Sequence, residues 1–166
     1  MTSIEIRVLN PIGIEDYHAH LLRLDLRDRR LRFAEESDDR GIDGHCLKLL
    51  GAQTIVIGGY VDGALRVSVE ICPDRTARHA EAIFTAEPNF SSGPVVRMLL
   101  TRLIDEARRY HLTDLTLHGF DQVAELERAA TPNGVQVIAG TPVTLRFETA
   151  PMPVSAGAPA TMSAYA

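Results

Sequence analysis

Leu99-Leu100-Thr101-Arg102-Leu103-Ile104-Asp105-Glu106-Ala107-Arg108 lies at the heart of the longest amphipathic stripe in the chain. Val96, Leu99, Leu100, Leu103, Ile104 and Ala107 recur at intervals of three and four, so the spacing predicts a helix with one apolar face. Its polar face carries Arg97, Arg102, Asp105, Glu106, Arg108 and Arg109, with the last basic pair near the C-terminal end, where the helix dipole favours cations. Just upstream, Pro88 to Gly93 reads as a loop. Before it, His79 to Ala86, containing Ala80-Glu81-Ala82-Ile83-Phe84, reads as a strand entered through the turn Pro73-Asp74-Arg75.

Working further outward, Thr54 to Val61 and Ala64 to Cys72 flank Asp62-Gly63, and a two-residue Asp-Gly link between β-rich runs predicts a hairpin. In its second arm Leu65, Val67, Val69 and Ile71 fall on one face, while Arg66, Ser68 and Glu70 fall on another that meets solvent or a ligand. Ile4 to Val8 alternates as a first strand, and Ile14, Tyr17, Leu21 and Leu24 predict a helix from Ile14 to Leu26. A further helical stretch, capped by Ser37-Asp38-Asp39, presents Ile42, Cys46, Leu49 and Leu50, with Gly41 and Gly44 weakening it. Downstream come a short strand at Leu115-Thr116-Leu117, a helix capped by Asp121 with Val123, Leu126 and Ala130 inward, and strands at Val135 to Ala139 and Val143 to Glu148. Residues 150–166 hold no charge and few large apolar groups, and read as a flexible tail behind one domain spanning 1–149.

With 166 residues, 45% hydrophobic and 23% charged, the chain has the composition of a single α/β domain with its own core. A net charge of -5 and a pI near 5.6 argue against a nucleic-acid partner. The start Met1-Thr2-Ser3-Ile4-Glu5 has neither a basic nor an apolar leader region, so the expected location is the cytoplasm, and no uncharged stretch free of proline suits a membrane span.

An antiparallel meander leading through a loop into a long amphipathic helix, then strand, helix and a final strand pair, resembles the GNAT acetyltransferase fold over residues 4 to 148. Leu31-Arg32-Phe33, with Ser37-Asp38 and Ile42 after it, is similar to the N-terminal stretch of the branch containing protein-lysine acetyltransferases. Ala80 to Phe84 resembles the family's fourth strand, and Leu99 to Arg108 its central helix. The resemblance implies a mostly antiparallel sheet flanked by helices, acetyl-CoA as cosubstrate, an amine acceptor and no metal, and leaves a homodimer open. Glu81 is the first candidate for the base that takes the ammonium proton, and Glu70 the second. The backbone of Phe84 and Thr85 would meet the pantetheine arm. The loop and first helical turn, Ser91, Ser92, Gly93, Val95, Val96 and Arg97, would meet the pyrophosphate, because glycine lets the backbone approach and a helix N-terminus stabilises negative charge.

The loop departs from the family pattern, which reads Gln or Arg, two variable residues, Gly, one variable residue, then Gly or Ala. Here Ser91, Pro94 and Val96 stand at those positions. Pro94 has no N–H to donate and Val96 sets a β-branched side chain where the family keeps the backbone bare. Ser91 and Ser92 are candidate caps or hydroxyl donors, and Pro94 suits the first helical position. The family's tyrosine near the end of the last helix is replaced by Arg128-Ala129-Ala130. Two functions therefore follow from the resemblance: an acetyl-CoA-dependent N-acetyltransferase acting on protein lysine or a small amine, or a GNAT-fold module that has lost catalysis and serves binding or regulation. Of the remaining constellations, His18 and His20 read as surface residues and Cys46 as a small core residue. The run Arg23 to Arg32 reads as a solvated, ion-paired helix end.

Overall fold

Asp62 and Gly63 turn the chain with φ of 49° and 82°, the two positive values that a type I′ hairpin turn requires. The computed structural model describes residues 1–9, 11–74 and 78–148, and in it this turn joins β2 (Ile55–Val61) to β3 (Ala64–Pro73). The predicted hairpin is present. Around it lie β1 (Ile4–Leu9), α1 (Ile14–Arg23), α2 (Leu26–Phe33), α3 (Asp39–Leu49), β4 (His79–Ala86), α4 (Pro94–Arg109), β5 (Asp114–His118), α5 (Val123–Ala130), β6 (Val135–Ile138) and β7 (Val143–Phe147). The expected tail of 150–166 lies outside the described residues, as does Arg75 of the turn before β4. No described helix is long and apolar enough to cross a membrane.

The strands form one seven-stranded sheet in the order β1-β2-β3-β4-β5-β7-β6. All neighbours are antiparallel except β4 and β5, whose parallel pairing needs the crossover that α4 supplies. On one face, Val95, Val96, Leu99, Leu100, Leu103 and Ile104 of α4 meet Ile57, Val67, Val69, Ala80 and Ala82 of the sheet, with Leu126 of α5 alongside. On the other, Tyr17, Leu21, Ile42 and Cys46 pack on Val56, Tyr60 and Leu65.

Three local expectations change. The register shifts between Gly59 and Tyr60, and such a bulge sends the next side chain to the opposite face. Leu65 accordingly joins the core under α1 rather than that of Val67, Val69 and Ile71. The helix expected from Ile14 to Leu26 ends at Arg23, because the Asp25 carboxylate accepts the Asp28 N–H at 2.8 Å and starts α2. The Asp38 carboxylate starts α3 in the same way, from Gly41 N–H at 2.8 Å. Asp121, expected to cap α5, does not: the cap position falls to Gln122, with no side-chain cap bond.

Gly119, just past β5, has φ of 74°, and a Cβ there would lie 2.6 Å from the Phe84 carbonyl oxygen. Gly119→Ala is expected to lose about 2 kcal/mol or more, from the left-handed backbone and from contact with a main-chain atom that cannot give way. Urea denaturation measures it, and an unchanged midpoint would show that the crossing has room for a methyl group.

Candidate active site

β4 and β5 pair from His79 opposite Asp114 to Ile83 opposite His118 and no further. β4 itself continues to Ala86, so Phe84, Thr85 and Ala86 keep a strand neighbour only on the β3 side. The two strands part towards their C-terminal ends. On the α4 face of the parting, the Phe84 and Phe120 rings meet edge to face at 5.0 Å between centroids.

The loop after β4 is held at both ends. At its start, Phe90 N–H donates to the Glu87 carbonyl at 3.0 Å, and the Arg66 guanidinium lies over the Phe90 ring at 5.3 Å. Further on, Gln122 Nε2 donates to the Ser91 carbonyl at 2.7 Å. Gly93 is the cap residue of α4 with φ of 93°, a conformation that favours glycine, and Pro94 opens the helix as expected. Ser91 and Ser92 are exposed, and α4 has no side-chain cap bond, so the serines do not serve as caps.

Val95 and Val96 occupy a different place from the one expected of them. They are 3% and 0% exposed and belong to the core beneath α4. The Val96 side chain therefore does not crowd the loop, but neither residue offers its surface to an anion. The loop's accessible groups are Ser91, Ser92 and the partly exposed Gly93, together with Arg97, whose half-exposed guanidinium stands 3.9 Å from the Glu125 carboxylate.

Glu81 lies on the sheet face opposite α4, with its side chain 48% exposed. Its two carboxylate oxygens meet two imidazoles: Oε1 accepts from His79 Nε2 at 3.0 Å, and Oε2 from His118 Nε2 of β5. The His79 hydrogen bond is the main reason the Glu81 pKa is lowered, and His118 adds to it. Neither histidine entered the sequence reading as a site residue. His79 stands two residues from Glu81 on one strand, the spacing that puts both on one face, whereas His118 is 37 residues away.

No protein-family model matches the sequence, and no curated protein is significantly similar to it. Solved structures do match. The PaiA N-acetyltransferase of Thermoplasma acidophilum, in complex with coenzyme A, is 16% identical with a TM-score of 0.55, over 87% of this chain and 99% of that one. The GNAT domain of PAT from S. lividans is 13% identical with a TM-score of 0.59, over 87% and 89%. The ribosomal-protein-S5-alanine acetyltransferase of Vibrio fischeri is 8% identical with a TM-score of 0.57, over 86% and 90%. The fold is the GNAT fold. Phe84 and Thr85, which the resemblance assigned to the pantetheine arm, lie where β4 has parted from β5, and the loop it assigned to the pyrophosphate leads into the start of α4.

Two buried polar clusters lie against the other face of the same strands. Glu70, expected on an open face as the alternative base, is 3% exposed because α1, α2 and α3 cover it. Its Oε2 accepts from Tyr17 Oη, Arg32 Nη2 and His45 Nε2, each at 2.8 Å. Burial pushes its pKa up, but His45, Arg32 and Tyr17 outweigh that and hold it at about 2. Glu70 is thus a buried carboxylate engaged by partners from three helices. Arg32, in the run expected to be solvated, is its partner, with its side chain 11% exposed.

The second cluster clamps the end of β4. Glu87 accepts from Arg23 Nε at 2.8 Å and Arg66 Nη1 at 2.7 Å, and lies 3.2 Å from His20 Nδ1. His20 Nε2 is 2.9 Å from Thr85 Oγ1, which is 2.7 Å from Ser68 Oγ. His20, expected at the surface, is fully buried. His18 does stand near the surface, 2.6 Å from Asp43. Thr85, expected only as a backbone contact for the arm, also carries this side-chain role.

These clusters set an acid limit on stability. Burial pushes the Glu87 pKa up, but its bonds to His20, Arg66 and Arg23 outweigh that and hold it at about 2. Burial, opposed by Glu87, lowers the pKa of His20. In each group the folded state binds its proton less readily than the unfolded chain, so stability is lost as pH falls. The loss begins below the ordinary imidazole value of 6.5 and steepens from the ordinary carboxylate value of 4.5 towards 2. The thermal midpoint is expected to fall steadily from pH 7 to pH 3, and a midpoint flat across that range would contradict the clusters.

Among the described residues no group of His, Cys, Asp or Glu is placed to hold a metal ion. Cys46 is buried as expected of a small core residue, and burial pushes its thiol up to about 11, away from nucleophilic use. Tyr110 stands at the C-terminal end of α4, the end remote from the loop. Arg128, at the family's tyrosine position, pairs with Glu125 at 2.9 Å.

Proposed function

We propose that this chain is an acetyl-CoA-dependent N-acetyltransferase acting on an amine, a protein lysine or a small amine. The observation that carries the reading is the continuation of β4 for three residues past its last rung with β5, straight into the accessible loop at the head of a 16-residue helix. Along Phe84, Thr85 and Ala86 the β4 edge that faces away from β3 has no strand partner, and such an edge suits an extended amide-bearing arm, which pairs with a strand whatever its side chains. Ser91, Ser92, Gly93 and Arg97 suit a pyrophosphate at the positive end of the helix dipole. When bound, acetyl-CoA supplies the activated acyl group. Glu81, exposed on the face beside the parting strands, is the carboxylate that serves removal of the ammonium proton, directly or through a group it holds. A second reading, a GNAT module without catalysis, is favoured by Pro94, which removes a donor at the helix head, and by Arg128 in place of the tyrosine.

Calorimetric titration with acetyl-CoA, followed by free-thiol release with lysine peptides and small amines, separates the two. Binding with turnover supports the enzyme, binding without turnover the module, and no binding rejects both. The missing donor gives a further expectation. Pro94 is exposed, so Pro94→Gly places an N–H at the accessible head of α4 and is expected to tighten CoA binding severalfold, at about 1 kcal/mol of helix stability. Val96→Gly does not share this role. It opens the core and is expected to lose about 2 kcal/mol or more. A folded Pro94→Gly variant that binds CoA no better than the wild type would show that the donor is not missed.

A further inference from the structure

Two imidazoles bracket Glu81, and their positions differ in one respect that matters for chemistry. His118 is the last residue of β5 to pair with β4, so it stands at the rung where the strands part. His79 opens β4 opposite Asp114, four residues and about 13 Å behind that rung. A linear ligand with its charged end at Ser91, Ser92 and Arg97 enters the parting at its open end, runs back along Ala86, Thr85 and Phe84, and stops at the rung of Ile83 and His118. Its far end, where a thioester would be, comes to His118 and not to His79.

On the transferase reading above, we propose that the imidazole of His118 is the general base of the reaction and that Glu81 is its positioning residue. The Glu81 carboxylate accepts from His118 Nε2, so the neutral ring carries its lone pair on Nδ1. No described residue bonds Nδ1, and the side chain is 44% exposed. A carboxylate that orients an imidazole which takes the proton of an attacking group is the logic of hydrolase triads, here with an ammonium in place of a hydroxyl. The other charged groups on this face are held by partners. His79 shares Glu81, and on the neighbouring β7 Arg146 is held by Asp114 at 2.9 Å, with Thr144 uncharged between. Glu70, across Ile83 from His118, is bonded by Tyr17, Arg32 and His45, and Glu87, just past β4, by Arg23 and Arg66 with His20 beside it.

The step balances without a further reactant. His118 Nδ1 takes one proton from the ammonium, and the freed nitrogen pair attacks the thioester carbon. As the tetrahedral adduct collapses, the C–S bond breaks and the thiolate takes a second proton from that nitrogen. The products are the amide and the free thiol, and the proton on His118 passes to solvent.

The test uses the full chain, acetyl-CoA and an amine acceptor, with thiol release followed from pH 6 to pH 10. His118→Gln is expected to lower kcat/KM about 100-fold at pH 7 and to recover as pH approaches the point where the amine deprotonates unaided. KM for acetyl-CoA should stay unchanged. His79→Gln is expected to lose less than about 5-fold, and His18→Gln, which removes an imidazole on α1, nothing. Nitrogen NMR of the ring is the second readout: the neutral His118 ring is expected as the Nε2–H tautomer in the wild type and as a mixture in Glu81→Gln. A His118→Gln enzyme that keeps its rate and pH limb, or an Nδ1–H tautomer, overturns the assignment and leaves the transferase reading standing. Acetyl-CoA binding without turnover of any amine overturns both.

Discussion

Arg32→Met is expected to lower folding stability by about 3–5 kcal/mol, the usual cost of removing one partner from a buried ion pair. Glu70 is covered by three helices, with its side chain 4% exposed, and Arg32 is the permanently charged group that bonds it. Methionine fills much of the same volume but leaves the carboxylate with Tyr17, His45 and the weak Cys72 thiol donor, so the loss measures an uncompensated buried charge rather than a cavity. For a domain of this size it corresponds to a thermal midpoint lower by on the order of 10 °C. Adding Glu70→Gln to Arg32→Met should restore part of the loss, since the pair is then neutral. Urea denaturation of the two single variants and the double variant gives the coupling, and a single-variant loss below about 1 kcal/mol would mean that water reaches this carboxylate.

Glu81→Gln is expected to lower acetyl transfer at neutral pH about 100-fold while leaving the fold intact, because the side chain is half exposed. The amide keeps the shape but loses the charge that orients His118. Glu70→Gln is expected to act the other way round: it removes the charge on which Tyr17, Arg32 and His45 converge and lowers stability, with the rate per folded molecule within about 3-fold of wild type. Rates normalised to the folded fraction separate the two, and equal, small effects would show that neither carboxylate serves the proton transfer.

The elements were legible where the signal is local. Asp62-Gly63 gave the hairpin because positive φ at both central residues is a property of the pair itself, and the stripe from Val96 to Ala107 gave α4 because its period needs no partner to be read. The candidate site was half legible. Glu81 could be named through the likeness of its strand to the family's fourth strand, but its bond to His118 joins positions 37 apart. The alternation of β3 pointed to an open face, yet Ser68 and Glu70 on it are buried, since alternation separates two faces without saying what covers either. Val96 was read against a loop pattern, while its place in the helix stripe already assigned it to the core.

The sequence by itself determined the order of the strands and of the helices other than α2, the hairpin, the loop before α4 and the proline at its first turn, because each rests on contacts within a few residues. Only the tertiary structure decided which polar residues are structural and which face a ligand. Tyr17, Arg32 and His45 reach Glu70 across separations of 53, 38 and 25 residues, and His20 reaches Thr85 across 65. A buried charge needs partners from remote elements to offset its lost hydration. Whether those partners arrive is fixed by how the helices settle on the sheet, which no local pattern along the chain records.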